Sequence, residues 1–66
     1  MAITINGEPR QFGAILNVSQ LLEQLELTGK KIALERNGEI VPRSQFSEQR
    51  LADGDRIEIV VAVGGG

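Results

Sequence analysis

The chain predicts an α+β fold: a mixed sheet of four or five strands with one main helix across one face. Three observations predict it. Two Asn-Gly dipeptides, at 6–7 and 37–38, each interrupt stretches of alternating apolar and polar residues, as tight hairpin turns do. One stretch, LNVSQLLEQLEL (16–27), has the apolar spacing of a helix. The closing segment RIEIVVAV (56–63) is apolar on both of its faces, which suits a central strand.

Each element has its own justification. AITIN (2–6) alternates, with Ile3 and Ile5 on one face, and Asn6-Gly7 suits the positive φ angles of a two-residue turn. EPRQF (8–12) is the return strand. Pro9 cannot donate to a ladder, so this strand belongs at a sheet edge, with Phe12 inward and Gly13 as its end. In the helix, Val18, Leu21, Leu22 and Leu25 form one apolar stripe at i, i+3, i+4 and i+7. Asn17 is a suitable N-cap and Gln20 stands three residues later, as in a capping box; Leu16 and Leu21 have the spacing of a hydrophobic staple. Gly29 is placed to end the helix in a left-handed conformation.

KIALER (31–36) turns Ile32 and Leu34 inward, Asn37-Gly38 offers the second hairpin turn, and EIV (39–41) is a short return strand stopped by Pro42. PRSQFSEQRLADGD (42–55) is irregular, with a helical turn at 44–48 and Phe46 and Leu51 as its anchors in the core. In the last strand Ile57, Ile59 and Val61 share one face, and Glu58, Val60 and Ala62 the other. Its parallel pairing with the first strand requires a crossover, which the helix supplies. The expected core is Ile3, Ile5, Leu21, Leu22, Leu25, Ile32, Leu34, Leu51, Ile57 and Ile59. Residues 1–63 form the expected folded domain and 64–66 a flexible glycine tail.

Composition narrows the function. The 66 residues carry a net charge of −2, with 41% apolar and 24% charged residues, as in a soluble globular domain. Seven scattered cations, two Phe and no Trp or Tyr leave neither a basic stripe nor stacking platforms for nucleic acid. No apolar run or signal pattern points to a membrane, so a cytoplasmic location is expected. With no Cys and no His, the chain lacks a thiolate nucleophile, an imidazole base and the usual zinc ligands. An enzyme acting alone is not expected.

Few motifs remain. DGD (53–55) reads as turn chemistry rather than a calcium loop, which needs more ligands at wider spacing and a closing glutamate. The NGE repeats read as turns, and Arg36 and Arg43 as solvated surface. Val60 and Ala62 face away from the helix; the strip is either a protein-binding surface or plain strand propensity. It leads into Gly64, Gly65 and Gly66. Such a tail gains nothing from packing, and fixing each residue costs about 1–2 kcal/mol. It reads as a frayed terminus, a linker, or a thread whose carboxylate enters a narrow site in another protein. An ionised carboxylate is a poor acyl donor, and becomes a good one when a partner joins it to AMP.

NGEIVPR (37–43), LADGDRIEIVVAVGGG (51–66), the length and the Gly65-Gly66 end together resemble the bacterial sulfur carrier proteins of thiamine biosynthesis, a ubiquitin-like β-grasp family. The resemblance covers the whole chain. It implies a carrier that is not itself an enzyme and binds no cofactor. An E1-like adenylyltransferase using ATP and magnesium would adenylate Gly66. Sulfur drawn from cysteine through a cysteine desulfurase would replace AMP to give a thiocarboxylate, and thiazole synthase would take that sulfur for the thiazole ring. Gly64 and Gly65 would enter the partners' active sites; the uncovered strip of Val60 and Ala62, read from the alternation and not from the resemblance, is the candidate partner surface. The small subunit of molybdopterin synthase and a ubiquitin-like protein modifier are the alternatives.

Overall fold

A computed structural model describes residues 1–14 and 16–62. The glycine tail and Val63, the end of the expected last strand, lie outside the described residues. The elements are β1 (Ala2–Ile5), β2 (Glu8–Gln11), α1 (Val18–Gln24), β3 (Ile32–Arg36), β4 (Glu39–Ile40), a 3-10 turn (Arg43–Gln45) and β5 (Arg56–Val61).

The five strands form one sheet in the order β2-β1-β5-β3-β4. β5 is central, as expected, and pairs parallel with β1 and antiparallel with β3. Only its Ile57–Ile59 face is buried, whereas Arg56, Glu58 and Val60 on the other face are exposed, so pairing on both edges and not two apolar faces makes it central. Both hairpins turn on Asn-Gly with positive φ at each residue: 50° and 84° at Asn6-Gly7, 52° and 86° at Asn37-Gly38. Pro9 lies on the edge strand β2, opposite Thr4, where its missing donor breaks no central ladder.

Alternation decides what is buried. Ile5 pairs with Ile57 and Leu34 with Ile59, and all four are buried beneath α1 with Ile3, Val18, Leu21, Leu22 and Leu51. Phe46 and Leu51 anchor the irregular segment in this core, and Leu16 and Val41 complete it. Leu25, Ile32 and Phe12 are half-buried at its margin, so two of the expected core residues, Leu25 and Ile32, cap the core rather than fill it.

The helix begins as its spacing predicts. The Gln20 N–H donates to Asn17 Oδ1 at 2.8 Å and the Asn17 N–H donates to Gln20 Oε1 at 3.1 Å, a complete capping box. Its end differs from expectation. Gly29 does not end it: Leu25 is the C-cap and Glu26, at φ 60°, is the left-handed residue. The Leu27 N–H donates to the Leu22 carbonyl at 2.8 Å and the Glu26 N–H to the Glu23 carbonyl at 3.0 Å, the two bonds of a Schellman motif. The cause is Leu27, which follows Leu25 by two residues and cannot share its helical face. Reversing the chain at Glu26 returns Leu27 to the core margin. Gly29, at φ 87°, serves a separate turn closed by the Lys30 N–H on the Leu27 carbonyl at 3.1 Å.

Candidate functional site

The helix covers one face of the sheet and leaves the other open. On that open face β5 presents Arg56, Glu58 and Val60. β3 sets Glu35 opposite Glu58 and Ala33 opposite Val60. Val60 is 66% exposed and Ala62, one step further along the row, is exposed too. The structure therefore brings Val60 and Ala62 together on one surface, as their alternation requires. They line a shallow groove with Ala33, the margin of Ile32, Lys31 and Arg43. Ile40, 74% exposed on β4, stands beside Glu35 on the same open face; sequence reading missed it, although the alternation that buries Val41 turns Ile40 outward.

Two devices hold this strand in place. Beyond the β1 hairpin, Asn6 uses its side-chain amide as a substitute peptide group. Asn6 Oδ1 accepts from the Ile59 N–H at 2.7 Å and Asn6 Nδ2 donates to the Ile59 carbonyl at 3.2 Å. The β1–β5 ladder is thereby carried on after β1 has turned away, and both backbone groups of the residue before Val60 are paired. Just past β5, the Ala62 N–H donates to the Lys31 carbonyl at 2.9 Å, so the last described residue is tied to the residue that precedes β3.

The start of β5 is held by Asp55, the buried charged residue of the described chain. It accepts from Arg36 Nε at 2.8 Å, Asn37 Nδ2 at 3.0 Å and the Ala52 N–H at 2.8 Å. Burial by itself raises the Asp55 carboxyl pKa, but the Arg36, Ala52 and Asn37 donors and the Arg36 charge outweigh it and hold the group below the ordinary carboxylate value. Asn37 Oδ1 accepts in turn from the Arg56 N–H at 2.9 Å. These contacts correct the expectation that Arg36 is solvated surface: it is the cation of a partly buried ion pair. Arg43 is exposed, as expected. DGD is a turn, as expected, and Asp55 additionally locks the β3–β4 hairpin to β5. Both Asp55 oxygens are occupied by protein donors, which marks the group as structural.

Gly64, Gly65 and Gly66 lie outside the described residues. What the described residues present is a five-stranded sheet whose central strand carries an exposed apolar strip at Val60 and Ala62. No helix among them is long and apolar enough to cross a membrane.

The likeness to known proteins extends over the same body. The sequence pattern of the ThiS family matches residues 3–66. The chain is 38% identical over 66 residues to the sulfur carrier protein ThiS of Escherichia coli, covering all of both chains. It is 47% identical over 66 residues to part of a thiazole synthase of Paramagnetospirillum magneticum, and there it spans only 20% of that protein's length. A crystal structure of the thiamine biosynthesis protein ThiS from Geobacter metallireducens superposes with a TM-score of 0.86 at 38% identity, over the whole of both chains. Sheet order, the central last strand and the sequence match agree, and the chain belongs to the ThiS family, the β-grasp sulfur carrier proteins of thiamine biosynthesis.

Proposed function

We propose that this chain carries sulfur as a thiocarboxylate on Gly66 and delivers it for the thiazole ring of thiamine. The observation that supports this most directly is the chain's lack of cysteine together with its Gly-Gly-Gly end. A carrier without a thiol must hold sulfur on a group it does possess, and an activated terminal carboxyl is one. Gly64 and Gly65 present no Cβ, so they suit a narrow channel in which the backbone approaches reacting groups closely.

The chemistry is supplied by partners. The Gly66 carboxylate attacks the α-phosphorus of ATP in an E1-like adenylyltransferase, which uses magnesium, and pyrophosphate leaves. A persulfide sulfur, drawn from cysteine by a desulfurase, displaces AMP. The persulfide's terminal sulfur is then bonded to the Gly66 carbonyl carbon as an acyl disulfide, and a thiol attacking the other sulfur of that disulfide forms a new disulfide and releases the thiocarboxylate. Thiazole synthase is the acceptor. Support for that last partner comes from the Paramagnetospirillum magneticum thiazole synthase, in which a segment like this chain forms part of the same polypeptide. Such linkage replaces a bimolecular encounter with a high effective concentration. In this scheme the body, residues 1–63, is the handle and residues 64–66 are the reagent. The handle is gripped at the open-face strip of Val60 and Ala62.

The test is the intact mass after incubation with the activating enzyme, MgATP and a sulfur source. One oxygen should be exchanged for sulfur, in the C-terminal fragment. Deleting Gly66, or adding one residue after it, should abolish the exchange with the fold unchanged. Gly65→Val should leave docking intact and slow adenylation. Sulfur located elsewhere, transfer surviving the deletion, or an isopeptide-linked product would overturn the reading.

A further inference from the structure

The open face is not uniform. Along β5 and β3 it changes character in steps of two residues. Glu58 and Glu35 stand directly opposite each other, then Val60 and Ala33, and then the cationic end, where Lys31 and Arg43 line the groove beside Ala62. At about 3.4 Å per residue, the carboxylate pair and the cationic end are roughly 13 Å apart.

Two carboxylates directly opposite on neighbouring strands repel and weaken the sheet that holds them. Neither is neutralised from within: Arg56 lies one step beyond Glu58 on the same row and forms no ion pair with it, and Arg36–Asp55 is the sole ion pair among the described residues. Lys31 and Arg43 likewise have no carboxylate partner among those residues. Stability does not explain this pattern, and complementarity to a docked protein does.

We infer that this face orients the activating adenylyltransferase, and that the enzyme's surface has a matching order. It carries an apolar projection over Val60 and Ala33, a guanidinium or ammonium group over Glu35 and Glu58, and a carboxylate over Lys31 and Arg43. Rotating the partner by half a turn would leave the apolar contact possible but would oppose like charges at both ends. The charge order thus selects the one docking direction in which the Ala62 end of β5 lies on the partner's acidic side. The inference rests on the carrier reading and adds the chemistry of the docking surface to it.

The test uses the full chain and its activating adenylyltransferase, with affinity measured by titration calorimetry at low and high salt. Glu35→Gln with Glu58→Gln should weaken binding about tenfold, reduce its salt dependence and raise the melting temperature by removing the repulsion. That opposite movement of affinity and stability is something a merely structural role would not produce. Lys31→Glu with Arg43→Glu should weaken binding by a similar factor. Glu48→Lys, on the helix side, should bind as the parent does. Parent-like affinity and salt dependence in both paired variants would overturn the inference, while the carrier reading would stand if the parent still gains sulfur at Gly66. A parent that neither binds the enzyme nor gains sulfur would overturn both.

Discussion

Replacing Asp55 by alanine tests whether the buried carboxylate holds the central strand. The residue is 5% exposed and its carboxylate accepts three hydrogen bonds, one of them from the Arg36 guanidinium. Alanine strands a partly buried cation, the Asn37 amide and the Ala52 N–H together. Breaking a buried ion pair from one side costs about 3–5 kcal/mol, and the partial exposure of Arg36 places this site near the lower figure. A chain of this length has roughly 3–10 kcal/mol of stability, so the loss is a large part of the whole. Urea unfolding followed by far-UV circular dichroism is the suitable assay, because the chain has no Trp or Tyr. With a slope of about 1 kcal/mol per molar urea, the midpoint should fall by roughly 3 M. Acid supplies a second reading. The folded pKa of Asp55 is depressed, so its contribution is fully present above the unfolded value of about 3.9 and is lost as pH falls through the folded value. Asp55→Asn should be less stable than the parent at neutral pH and should lose less stability between about pH 5 and pH 2. A midpoint within about 0.5 M urea of the parent for Asp55→Ala would refute the assignment of Asp55 as the lock.

Leu22→Ala should cost about 2–5 kcal/mol by opening a cavity between α1 and the sheet, and an unchanged melting curve would mean that the helix register is wrong. Glu26→Gly should stabilise the fold by up to about 1 kcal/mol, because a left-handed residue with a Cβ is strained; a lower melting temperature would show that the Glu26 side chain contributes more than its backbone costs. Val60→Arg should leave the melting temperature near the parent's, since the residue is already exposed, and should weaken binding to the activating enzyme. Parent-like affinity in a folded Val60→Arg protein would leave the strip as strand propensity alone.

Much of this protein follows from spacing that a single stretch of chain carries within itself. Asn-Gly between alternating residues determines both hairpins, Asn17 and Gln20 determine where the helix starts, and the alternation of residues 56–61 determines a strand with Ile57 and Ile59 on its buried face. These are interactions between residues no more than four apart, or the period-two pleat of a strand, so they need no partner from elsewhere. The outward direction of Val60 and Ala62 was legible for the same reason. What the sequence could not reveal is which distant residues become neighbours. Asp55 meets Arg36 and Asn37 only because β3 and β5 pair in one register, and Asn6 reaches Ile59 only because β1 lies parallel beside β5. The helix ends at Gln24 rather than at Gly29 because Leu27 must return to a core margin that exists only once the sheet is assembled. The groove beside Ala62 draws Lys31, Arg43 and Val60 from three separate segments, so its charge order is a property of strand register, which local periodicity does not encode.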